Sequence, residues 1–168
     1  MALLLCAFML CVEVIHAAGP DVKTGIEVLR DRDFDALQGK RVGLVTNPSG
    51  VDSQLRSTID ILYNAPGVNL VALYGPEHGV RGDVYAGGKI SDSVDQATGL
   101  PVYSLYGATR KPTQQMLEGI DVMVYDIQDV GVRSYTYIST LGLVMEACGE
   151  KGIEVMVLDR PNPLGGNK

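Results

Sequence analysis

Leu70-Val71-Ala72-Leu73-Tyr74-Gly75-Pro76-Glu77-His78-Gly79-Val80-Arg81-Gly82-Asp83 is an apolar run that breaks abruptly into a turn. A strand followed by glycines at 75, 79 and 82 delivers a carboxylate, an imidazole and a guanidinium at one place. Glycine permits positive φ and close approach of backbone to a ligand. Turn formation requires Gly or Pro but has no need of Glu-His and Arg-Gly-Asp beside them. The plain alternative is a solvated turn carrying ordinary charges.

Two later runs end in the same way. Ile120, Val122, Met123, Val124 and Tyr125 mark a strand that exits into Asp126-Ile127-Gln128-Asp129. Ile153-Glu154-Val155-Met156-Val157-Leu158 exits into Asp159-Arg160-Pro161-Asn162-Pro163. Near-continuous apolar strands separated by helical segments predict a parallel sheet covered on both faces. Ligands of such sheets bind outside the carboxyl ends of the strands. Glu77, Asp126 and Asp159 are therefore expected on one edge.

The remaining segments complete an alternating pattern. Gly25 to Arg32 reads as a short helix, and Arg41-Val42-Gly43-Leu44-Val45-Thr46 as the first strand, ending in the turn Asn47-Pro48-Ser49-Gly50. Asp52 or Ser53 is expected to cap a helix reaching about Asn64, with Leu55, Ile59 and Leu62 at helical spacing. Pro101 to Tyr106 reads as a further strand, and Pro112 as the first turn of a helix carrying Met116 and Leu117. A helix from about Ser139 to Lys151 precedes the last strand. Residues 81–99, rich in Gly, Asp and Ser, read as a long loop or insertion over the cleft. The pattern predicts a doubly wound α/β domain.

At 168 residues with 46% hydrophobic and 20% charged side chains, the chain has the composition of one globular domain. A net charge of −6 and a pI near 4.8 argue against nucleic acid as a partner, which would require a basic footprint. Residues 1–18 resemble a secretory signal: Ala2 to Val12 is almost wholly apolar, and Ile15-His16-Ala17-Ala18 offers small residues for cleavage. The segment is too short, with Glu13 too early, for a membrane span. A periplasmic or extracellular location and a folded unit over residues 19–168 are the resulting expectations. Loss of Cys6 and Cys11 with the signal leaves Cys148, read as a buried core residue. His16 and His78 have no zinc-ligand spacing, and glycines 75, 79 and 82 do not match a dinucleotide fingerprint. No metal or cofactor is expected.

Several ordered blocks together resemble the bacterial exo-β-N-acetylmuramidases, once catalogued as a family of unknown function. They are Gly75-Pro76-Glu77-His78-Gly79, Thr98 to Gly107, Asp126-Ile127-Gln128-Asp129-Val130-Gly131, Arg133, Tyr135-Thr136-Tyr137, and Leu158 to Gly166. The resemblance covers roughly Gly25 to Gly166. It implies a Rossmann-like, mostly parallel sheet without the family's smaller carboxy-terminal domain. It also implies release of terminal N-acetylmuramic acid from peptidoglycan fragments, with muramyl saccharides as the partners.

On that reading Glu77 is the catalytic acid/base, and Asp126 or Asp129 supplies the second carboxylate that glycosidases commonly use. The sugar's lactyl carboxylate calls for a guanidinium, which matches it in bidentate fashion. Arg133 is favoured, with Arg81 and Arg160 as alternatives. His78, Gln128, Asp159 and Asn162 are further candidates for substrate contact, and Tyr135 and Tyr137 for stacking on a sugar face. A non-catalytic cell-wall sugar binder, or an inactive fragment of such a hydrolase, is the competing expectation. An esterase or amidase is disfavoured because no Gly-x-Ser-x-Gly elbow is present.

Overall fold

The computed structural model describes residues 22–82 and 93–165. The expected signal segment, with Cys6, Cys11 and His16, lies outside them, as does much of the predicted long loop. The elements in order are α1 (Gly25–Asp31), a 3₁₀ turn (Asp35–Leu37), β1 (Arg41–Thr46), α2 (Thr58–Asn64), β2 (Asn69–Gly75), β3 (Ser93–Val94), β4 (Pro101–Ser104), β5 (Val122–Asp126), α3 (Tyr137–Lys151) and β6 (Glu154–Val157). They build one six-stranded sheet in the order β3-β4-β2-β1-β5-β6. All pairings are parallel except β3 with β4. The mostly parallel α/β fold is as the sequence pattern predicts.

Burial follows position in the sheet. All five residues of β5 are buried, as are five of the six in β1, whereas β4 alternates and β6 is largely accessible. Successive side chains point to opposite faces, and two cores result. Val42, Leu44, Leu73, Val122 and Val124 pack with Ile26, Ile59 and Leu62 on one face. Val45, Tyr74, Met123 and Tyr125 pack with Val144, Ala147 and Cys148 on the other. Cys148 is fully buried, and burial pushes its thiol up to about 11, as suits a core residue.

Three local expectations need correction. The helix after β1 begins at Thr58, capped by Ser57, rather than at Asp52 or Ser53. Asp52 is consumed elsewhere: its carboxylate accepts the backbone N–H groups of Gln54 and Arg56 and the guanidinium groups of Arg30 and Arg56. Burial raises its pKa, but these donors outweigh burial and hold it well below the usual carboxylate range. Leu55, placed at helical spacing with Ile59 and Leu62, lies outside the helix and is 81% exposed with φ of 60°. Pro112 also starts no regular helix. Residues 113–120 form irregular turns with hydrogen bonds from Leu117 N to Thr113 O and Ile120 N to Leu117 O, and Gly119 closes them at φ 74°. The strand expected over 101–106 stops at Ser104, releasing Tyr106 into the loop beyond.

Candidate functional site

Five parallel strands end on one edge, so the exits of β1, β2, β4, β5 and β6 form a continuous rim. The β2 exit is a tight turn in which Gly79 N donates to Pro76 O at 3.0 Å. His78 occupies its third position at φ 74°, followed by Gly79 at 76°. A left-handed non-glycine residue costs about 1–3 kcal/mol and persists only where its surroundings over-determine it. The turn folds back on its own strand, so that a Cβ on Gly75 would lie 3.2 Å from the Cα of Gly79. Glu77 is thereby held half-buried at the crest. Glu77 and His78 face Ser134, Tyr135, Thr136 and Tyr137 across a polar pocket of about 180 Å³. Thr136 is the N-cap of α3 and Tyr137 its first residue, so the pocket receives the positive end of that helix dipole.

The β5 exit is built differently. Asp126 is fully buried, and Arg160 grips it with two hydrogen bonds, Nε to Oδ1 at 2.6 Å and Nη2 to Oδ2 at 2.9 Å. Thr58 Oγ1 donates to Oδ2 at 2.5 Å, and Arg160 Nη2 also reaches Val51 O at 3.0 Å. The backbone is fixed as well, since Thr46 Oγ1 donates to Asp126 O at 2.9 Å. Gly50 is required beside it, because a Cβ there would meet Thr46 Oγ1 at 2.1 Å. Each oxygen of Asp126 is occupied by a buried donor. That arrangement joins the exits of β1, β5 and β6 and leaves no oxygen presented to a ligand.

Neighbouring residues continue the bracing. Gln128 N donates to Ser49 Oγ at 2.9 Å, and its side-chain amide donates to Asp129 O and Pro161 O. Asp129 Oδ1 accepts from Gly131 N at 2.6 Å, leaving the exposed carboxylate's other oxygen toward solvent. Asp159 Oδ1 accepts from Arg160 N, and its carbonyl accepts from Gly25 N at 2.7 Å, docking α1 against β6. Asn162 Oδ1 accepts from Leu164 N. Gln128, Asp129, Asp159, Arg160 and Asn162 line a groove of about 320 Å³ that shares Tyr137 with the Glu77 pocket.

The candidate residues therefore divide. Glu77, His78 and Tyr135 meet in one pocket; Gln128, Asp129, Asp159, Arg160 and Asn162 meet in the groove beside it. Arg81 stands apart, paired with Asp95 at 2.5 Å and Asp60 at 2.9 Å, and the hydrogen bonds from these partners hold its guanidinium above its ordinary pKa. Arg133 is exposed in the loop before α3, and among the described residues it enters no salt bridge. Tyr135 is 49% exposed with its ring edge-on to Tyr137 at 5.8 Å, so one face remains accessible. Sequence reasoning missed Ser134 and Thr136 as pocket residues. Thr58 was missed too, because nothing in the sequence connects it with Asp126.

Comparison with known proteins supplies an independent line. The sequence profile of a family described as the amino-terminal part of the exo-β-N-acetylmuramidase NamZ matches residues 42–168. The chain is 56% identical over 151 residues to a peptidoglycan β-N-acetylmuramidase NamZ of Bacillus subtilis (strain 168), covering 90% of this chain and 36% of that protein. Two crystal structures of DUF1343 family proteins from Bacteroides fragilis NCTC 9343 superpose on it. One has a TM-score of 0.80 at 67% identity over 87% of this chain, the other 0.70 at 36% over 85%; each match covers 36% of the solved chain. The chain thus spans about a third of the length of the relatives it matches.

Proposed function

Since this chain belongs to the exo-β-N-acetylmuramidase NamZ amino-terminal family, we propose that it acts on terminal β-N-acetylmuramic acid of peptidoglycan fragments outside the cytoplasm, with Glu77 as acid/base. The observation that carries this reading is the strained turn that presents Glu77 to a polar pocket at the sheet edge. A glycosidic bond breaks when a carboxylic acid protonates the departing oxygen while a second group stabilises or attacks the anomeric carbon. Glu77 is the carboxylate lining this pocket, and a positioned acid contributes about 10²–10⁴-fold. Asp129, on the adjoining groove, is the candidate for the second carboxylate, because Asp126 is wholly engaged by Arg160 and Thr58. Arg133, exposed beside the pocket residue Ser134 and in no salt bridge among the described residues, is the candidate to read the lactyl carboxylate, and Tyr135 offers a ring face to the sugar.

A second reading is a sugar-binding unit without turnover. It is favoured by the single carboxylate that lines the Glu77 pocket among the described residues. Release of a chromophore from a synthetic β-N-acetylmuramide by residues 19–168 separates the two. The hydrolase reading expects turnover of the muramide but not of the matching N-acetylglucosaminide, lost in Glu77→Gln while sugar affinity is kept. Binding without turnover in folded protein establishes the second reading.

A further inference from the structure

The left-handed turn that bears Glu77 is fastened at its far end by an ion pair. On the near side the turn grows out of β2, whose Gly75 pairs with Ser104 of β4. On the far side Val80 is buried in the core, and Arg81 follows it. The Arg81 guanidinium forks onto Asp95, Nε to Oδ1 at 2.5 Å and Nη2 to Oδ2 at 3.0 Å. The Asp95 side chain is only 3% exposed, and Thr98 N and Oγ1 donate to its Oδ2 at 3.0 and 2.7 Å. Asp95 is itself fixed: its N–H donates to Leu100 O at 2.9 Å, next to the antiparallel pairing of β3 with β4. Strand β4 in turn pairs with β2. A closed circuit results, from β2 through the turn to Arg81, across to Asp95, and back through β4 to β2.

We infer that Arg81 is a positioning residue for Glu77: its bidentate pair with Asp95 is the clasp that holds the turn of residues 76–79 closed, with His78 in the left-handed region. The inference rests on the reading of Glu77 as the acid/base. His78 at φ 74° is strained, and a strained residue relaxes unless its surroundings over-determine it. Strand β2 fixes one end of the turn, and the Arg81–Asp95 pair supplies the restraint at the other. A bidentate guanidinium–carboxylate pair fixes orientation as well as distance. The hydrogen bond from Arg81 also holds the Asp95 carboxyl below its ordinary pKa, against the opposing effect of burial, so the pair stays charged in the neutral range. Asp60, half-exposed, binds the outer side of the same guanidinium at 2.9 Å and is not needed for the circuit. Misplacing a catalytic group by about 1 Å costs on the order of 10²-fold in rate.

The test compares Asp95→Asn, Arg81→Lys and Asp60→Asn in the full chain labelled with ¹³C and ¹⁵N. The His78 resonances, identified by their loss in His78→Gln, report its φ through the Cα and Cβ shifts. Asp95→Asn is expected to move them away from left-handed values. Arg81→Lys keeps the charge but loses the fork, and is expected to move them in the same sense by less. Asp60→Asn is expected to leave them in place. With a β-N-acetylmuramide substrate, Asp95→Asn is expected to lower kcat by about tenfold to a hundredfold with KM little altered, and Asp60→Asn to retain wild-type kcat. Left-handed His78 shifts in Asp95→Asn overturn the inference, and so does wild-type kcat. An equal loss in Asp60→Asn overturns it as well. Should Asp95→Asn not fold, Arg81→Lys decides on the same readings. If the wild-type chain itself turns over no muramide, the hydrolase reading fails, and the His78 shifts still decide whether the pair holds the turn.

Discussion

The exits of β2 and β5 present the same sequence signature, an apolar strand running into a carboxylate, and the fold treats the two oppositely. At the β2 exit, Glu77 stands half-buried on a left-handed turn and faces an open pocket. At the β5 exit, Asp126 is sealed by Arg160 and Thr58 with no oxygen left over. Strain and accessibility are what the chemistry proposed for the first would require. Complete pairing and burial mark the second as a joint between loops. A carboxylate at a strand end is thus ambiguous until its partners are known.

The sharpest way to break that contrast is to remove each carboxylate in turn. Asp126→Ala leaves the Arg160 guanidinium, 8% exposed, without its partner, and is expected to destabilise the chain by about 3–5 kcal/mol in urea unfolding. Combining it with Arg160→Met is expected to recover much of that loss, since an apolar pair of similar volume is often tolerated. A double variant as unstable as the single would show that the joint holds the loops by something other than charge pairing. Thr58→Val, which removes one buried donor to Asp126, is expected to cost about 1.5–3 kcal/mol by the same measurement.

Smaller effects sharpen the other side. His78→Gly relieves the positive φ and is expected to raise stability by about 1 kcal/mol while lowering turnover, the pattern of a strained functional turn. Unchanged stability would mean that the turn carries no strain there. Glu77→Gln is expected to alter stability by no more than about 0.5 kcal/mol, in contrast with Asp126→Ala.

A pH dependence is expected remote from both exits. Hydrogen bonds from Ser53 and Thr24 hold Glu27 down to about 2 from an ordinary 4.5. Its folded-state value being depressed, Glu27 contributes stability that is present above pH 4.5 and lost as pH falls through 2. Glu27→Gln is expected to flatten the fall in urea midpoint across that window, and an unchanged slope would refute the assignment.

Most of the fold was legible because it depends on patterns local in the chain. Val42–Val45 and Val122–Tyr125 announce buried strands by continuous apolarity, and the alternation with helical segments announces the parallel sheet. The helix starts were misread where a polar side chain had a competing use. Asp52 has the chemistry of an N-cap, but it closes a turn and binds two arginines instead. The short β3 went unrecognised because two exposed residues carry no period.

By itself the sequence determined the sheet, the edge on which its loops gather, and the family, since each is written in residue type and spacing. Only the tertiary structure decided which carboxylate faces a pocket and which is sealed. Arg160 meets Asp126 across 34 positions, and Thr58 meets it across 68. Hydrogen bonding is short-ranged and directional, so the role of an ionisable side chain is set by neighbours that folding brings to it from elsewhere in the chain.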